Sequence, residues 1–108
     1  MGWDAFSSVL DHNLPIFKLV ADKVKQKCGS VDDLLQSGGL DCSVCAYVLE
    51  IATGESAWNE DGWNAEKVKY LYENAKWPEN GYDCWAVESA KEFLNVCAKL
   101  GLEIHFSY

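Results

Sequence analysis

Cys42-Ser43-Val44-Cys45 is the stretch whose residue types and spacing most directly permit chemistry, since two thiols three positions apart serve dithiol redox centres and half of many zinc sites. At a helix start the dipole would also lower the first thiol's pKa. Two features oppose that use. No strand-like segment precedes the pair, as one would in a thioredoxin-like unit, and Asp41 beside it disfavours a thiolate. A zinc centre would need two more ligands from Cys28, Cys84, Cys97, His12 or His105, which contain no second close pair. Inert helix cysteines, without metal or cofactor, are the expectation. His12 and His105 show no spacing to a Ser, Cys or metal partner. Gly38-Gly39 runs into Leu40-Asp41 with no lysine placed as in a phosphate loop. The Glu60-Asp61 run lacks the carboxylate series of a calcium loop. No catalytic residue is assigned, and the chain is not expected to be an enzyme.

A second motif is a repeat. Trp-Asn-Glu-Asp-Gly-Trp-Asn, from Trp58 to Asn64, returns nineteen positions later as Trp-Pro-Glu-Asn-Gly-Tyr-Asp, from Trp77 to Asp83. Asp61-Gly62 and Asn80-Gly81 suit a left-handed turn, and Asn64 and Asp83 stand where helix N-caps belong. Trp63 with Val68, and Tyr82 with Val87, then have the spacing of a hydrophobic staple. Helix-start chemistry thus explains Gly62, Trp63, Gly81 and Tyr82. It leaves Trp58 and Trp77 unexplained. With the carboxylates Glu60, Asp61 and Glu79, these two indoles form the candidate binding set, a groove in which ring faces and negative charge act together on a cation.

Charge narrows the partner. Nine basic residues, all lysine, stand against seventeen acidic ones, for a net charge of −8. Without arginine the chain lacks the planar fork that phosphate and guanine recognition favour. Direct binding to nucleic acid or to an anionic membrane is therefore not expected. A basic protein partner is the natural complement, with negative charge speeding encounter and exposed aromatics supplying anchors, as in an immunity protein, antitoxin or inhibitor. The alternative is a small-molecule binder that takes an organic cation in the aromatic-acidic groove. Lys18, Lys23, Lys25 and Lys27 form the one basic cluster, expected as a solvated helix side or a contact to the acidic C-terminal half.

The elements that position these residues read as mainly α: one domain, 1–108, a compact bundle of about five helices with a short C-terminal β-strand. At 49% hydrophobic content a chain of 108 residues buries roughly 65% of its unfolded surface. The apolar spacing predicts a short helix from Trp3 to about Asp11. A second starts at Pro15 and ends at Gly29, with Phe17, Val20, Ala21, Val24 and Cys28 on one face. Ser30 is expected to cap a short segment through Leu35, and Asp41 to cap a central, all-round apolar helix from Cys42 to about Thr53. Two more run from Ala65 to about Lys76 and from Cys84 to Leu100. Leu102, Ile104, Phe106 and Tyr108 then alternate with polar residues as in a half-buried strand. That strand pairs within the chain or, failing this, makes a homodimer; no other segment reads as one. An odd number of cysteines, five, and a start without a basic region and apolar core point to reduced thiols and a cytoplasmic location.

Overall fold

The structure, a computed structural model, describes residues 2–7 and 14–108. In chain order it comprises β1 (Asp4–Phe6), α1 (Pro15–Cys28), α2 (Asp33–Gln36), β2 (Gly39–Asp41), α3 (Ser43–Thr53), α4 (Ala65–Asn74), α5 (Cys84–Leu100) and β3 (His105–Ser107). The expected mainly α fold with a C-terminal strand is present. No helix of the described residues is long and apolar enough to cross a membrane.

The longest helix organises the rest. On α5, Ala86, Ala90, Phe93, Leu94 and Cys97 are fully buried, and the helix packs against α1, α3, α4 and β2. Helix α1 starts at Pro15, whose missing N–H falls in the first turn where no helical partner exists, and ends at Gly29 in the left-handed region. It turns Phe17, Val20, Ala21 and Val24 inward, as their spacing predicts.

Three expectations are corrected. Trp3–Phe6 is not helical: Trp3, Ala5 and Ser7 point inward while Phe6 is exposed, the alternation of a strand. The rest of that expected helix, with Val9, Leu10 and Asp11, and His12 after it, lies outside the described residues. β1 is the middle strand of an antiparallel sheet in the order β2-β1-β3, with Ala5 opposite both Leu40 and Phe106. Thus the C-terminal strand finds its partner within the chain. Second, α2 is capped by Asp32, not Ser30. One Asp32 oxygen accepts from Leu34 N and the other from Asp41 N, each at 2.9 Å, which ties α2 to β2. Burial raises the Asp32 pKa, against the lowering effect of those two donors. Asp41 therefore belongs to β2, and Cys42 takes the N-cap position of α3. Third, α3 is not central, because Tyr47 and Ile51 are 52% and 60% exposed on its outer face.

The seam between α1 and α5 holds the largest departure. Cys28 and Cys84 form a disulfide, so the cysteines are not all reduced. The bridge joins the end of α1 to the start of α5, which makes the two helices antiparallel. Lys27–Glu88 at 2.6 Å and Lys23–Glu92 at 2.9 Å continue the clasp along the seam. A crosslink between residues 56 apart restricts the unfolded chain by about 4 kcal/mol in the loop-entropy account. Denatured without reductant, the protein is expected to be alkylated at Cys42, Cys45 and Cys97 alone, with Cys28 and Cys84 labelled only after reduction. Mass spectrometry that finds all five labelled without reductant would exclude the bridge.

Candidate functional site

The two copies of the repeated turn do different work. In the first, Asn59 organises the loop: its Nδ2 donates to the Ser56 carbonyl oxygen at 2.7 Å and its Oδ1 accepts from Gly62 N at 2.6 Å. Gly62 has φ 66°, and a Cβ there would run into the Ile104 carbonyl oxygen. The next residue is bridged to the C-terminal segment, Trp63 N donating to Ile104 O and Ile104 N to Trp63 O, both at 2.9 Å. Trp63 is buried, edge-on to Phe106 with ring centroids 5.0 Å apart. Asn64 caps α4 by accepting from Lys67 N at 2.8 Å. Through Asn59, Gly62, Trp63 and Asn64 this copy holds the loop and starts α4, as the helix-start reading expects for Gly62 and Trp63.

The second copy is looser. Gly81 also has positive φ, but a Cβ there meets nothing within 4 Å, and the Asp83 side chain makes no capping hydrogen bond. Trp77, Pro78, Glu79 and Tyr82 instead line a groove of about 460 Å³ above Cys84. Lys27 and Lys91 line it as well, so the groove is of mixed charge.

Trp58 does not line that groove. It sits half-buried among Trp3, Tyr47 and Tyr108, with ring centroids at 6.4, 6.0 and 5.4 Å. Beneath it, Trp3 is fully buried, and its Nε1 donates to the Ala57 carbonyl oxygen at 2.8 Å, which fixes the loop one residue before Trp58. Glu50 Oε1 accepts from Ala57 N at 3.2 Å and holds the same loop from α3. Beside Trp58, Tyr47 and Tyr108 are each more than half exposed, as is Ile51 one turn along α3 from Tyr47. The Trp58 Nε1–H has no acceptor among the described residues. Glu60 and Asp61, two and three residues on, are exposed.

The five candidate residues thus divide. Trp58, Glu60 and Asp61 belong to an exposed aromatic face on α3 and the 56–63 loop, whereas Trp77 and Glu79 belong to the groove over Cys84. The face also recruits Tyr47, Ile51 and Tyr108, which were not singled out from the sequence. The Tyr47–Ile51 spacing of four, on one side of a helix, is the signal that marks them.

Cys45 and Cys97 are poorly placed for redox work. Cys45 is buried, with its Sγ 3.8 Å from both an Asp32 carboxylate oxygen and the Ala86 carbonyl oxygen. Burial first, and then the Asp32 charge, push its pKa far up. Burial, with a smaller contribution from Glu103, pushes Cys97 up to about 12. Attack on a disulfide needs a thiolate, which neither site favours. His105 lies 3.5 Å from Glu103 and its ring is 5.7 Å from that of Phe6. In the sheet, Asp4 stands opposite Asp41; burial, then a hydrogen bond to Asp41 and its charge, raise the Asp4 pKa.

Comparison with known protein families, with curated proteins and with solved structures finds no match for this chain.

The division of the two turns has a direct test. Gly62→Ala is expected to destabilise by at least about 2 kcal/mol, because positive-φ strain adds to a collision with backbone. Gly81→Ala meets open space and should lose only about 1 kcal/mol. Equal losses in chemical denaturation would refute the distinction.

Proposed function

We propose that this chain is a non-enzymatic interaction protein that binds, and through binding inhibits, a basic protein, in the manner of an immunity protein, antitoxin or inhibitor. The observation that carries the reading is the exposed aromatic face. Tyr47 and Tyr108 flank Trp58, exposed Ile51 lies one turn along α3 from Tyr47, and the exposed Glu60 and Asp61 follow Trp58 in the loop. Aromatic side chains are the residues that most often anchor protein interfaces. The charge of −8 steers a basic partner toward this face from a distance. The organic-cation alternative is less well supported, because Trp58 and Trp77 do not share one groove and lysines line the groove that Trp77 occupies. Thiol redox catalysis through Cys42 and Cys45 is opposed by the burial and raised pKa of Cys45. The Cys28–Cys84 bridge weighs against the cytoplasmic expectation and favours a compartment in which disulfides persist.

The test uses exposed positions that the fold tolerates. The wild-type protein, immobilised in extract of the cells that express it, is expected to retain a discrete basic protein. Tyr47→Ala combined with Ile51→Asp should weaken that complex by roughly thirtyfold, the loss of an anchor contributing about 2 kcal/mol. Neutralising Glu60, Asp61 and Glu79 together should slow association and flatten its dependence on salt. Unchanged affinity in both variants would overturn the reading.

A further inference from the structure

The disulfide that clasps α1 to α5 lies at the surface. Cys84, the first residue of α5, is exposed, and Cys28, the last of α1, is half-buried. A buried bridge resists exchange because no thiolate reaches it, whereas an exposed one is open to attack and serves as a labile or regulatory bond. Breaking this one leaves other contacts that hold α1 in place. Phe17, Val20 and Val24 are buried in the core, and Lys23–Glu92 at 2.9 Å pairs the two helices further along the seam. The bond therefore opens without dismantling the packing around it, and what matters is which thiol has access to it.

The surroundings of Cys84 define that thiol. The groove of about 460 Å³ that Cys84 lines falls in the size range of small-molecule sites. Four charged side chains line it. Lys27 and Glu88 are paired with each other at 2.6 Å, whereas Lys91 and Glu79 make no ion pair among the described residues. Trp77 and Tyr82, both half-buried, add apolar surface for a carbon chain. One unpaired cation and one unpaired anion beside a disulfide match a molecule that carries a carboxylate, an ammonium group and a thiol. We propose that Cys28–Cys84 is a thiol–disulfide exchange site for a low-molecular-weight zwitterionic thiol of amino-acid or short-peptide type, bound with its carboxylate on Lys91 and its ammonium on Glu79. The incoming thiolate sulfur bonds to Cys84 Sγ as the bridge breaks, and the electron pair goes to Cys28 Sγ, which takes a proton from water. A second molecule of the thiol attacks the sulfur of the first, departs with it as the small disulfide and releases Cys84 as a thiolate. Two thiols thus supply the two electrons that open the bridge, and the small disulfide closes it by the reverse steps. Opening releases the end of α1 from the start of α5. The site is separate from the aromatic face on α3 and stands or falls independently of it.

The test takes the intact, oxidised protein, in which differential alkylation has first established the bridge. Glutathione, a zwitterionic thiol, is compared with mercaptoethanol, a neutral one, and samples quenched in acid are alkylated and mapped by mass spectrometry. Each rate of bridge opening is divided by the rate of the same thiol on the urea-denatured protein, which removes differences in intrinsic nucleophilicity. On that scale glutathione is expected to be about fivefold faster, the gain from two exposed charge contacts. Its adduct is expected on Cys84. Lys91→Gln combined with Glu79→Gln should bring the two relative rates together. Equal relative rates on the wild-type protein would overturn the proposal, as would an adduct on Cys28, or one on Cys42 with the bridge intact. So would a bridge that a dithiol protein such as thioredoxin opens in the native state and glutathione does not.

Discussion

Trp3 is the residue on which both the sheet and the candidate face depend. Its indole is fully buried, its N–H is committed to the Ala57 carbonyl oxygen, and its ring stacks on Phe106 at 5.8 Å. A buried indole donor without a partner would be costly, so this hydrogen bond selects one position for the 56–63 loop. The ring contact holds β3 beside β1, and β3 carries Tyr108 to Trp58. One N-terminal side chain thereby joins the start of the chain, its middle and its end. The sheet has only three residues per strand, too few to persist by ladder bonds alone, and relies on this aromatic packing.

The molecule divides its surface chemistry along the same lines. Around Trp58, apolar rings lie beside carboxylates on an acidic chain. Across α1 and α5, Lys23 and Lys27 pair with Glu92 and Glu88, and Leu19 and Leu100 are exposed. Such segregation is not needed to hold the fold, since α5 buries its core stripe irrespective of what α1 shows to solvent. The clasp of Cys28–Cys84 and its two ion pairs keeps the two helices in fixed relation at one end.

Long periodic stretches were legible in the amino-acid sequence. α1 and α5 carry unbroken apolar stripes bounded by Pro15 or Cys84 at the start and Gly29 or Gly101 at the end, and both form within these bounds. β1 was not legible, because Trp3 and Phe6 satisfy a helical spacing of three as well as any alternation, and three residues are too few to separate the periods. Ser30 and Asp32 are equally good caps by type. Burial of Asp32, with two backbone donors from different elements, decides between them. α3 read as central because hydropathy counts apolar residues without saying which side is covered. The Cys28–Cys84 pairing depends on an antiparallel arrangement of α1 and α5 that no local pattern encodes. Of the candidate binding residues, the types were readable, but their separation into a face and a groove was not, since it follows from Trp3 capturing the loop before Trp58.

The central claim is that the surface ordered by Trp3 is the one a partner covers. Hydrogen–deuterium exchange of the protein alone and in complex with the basic protein it retains addresses this most directly. The account requires added protection in peptides spanning 47–61 and 104–108, with the α4 surface unchanged. Protection confined to α4, or to the groove over Cys84, would contradict it.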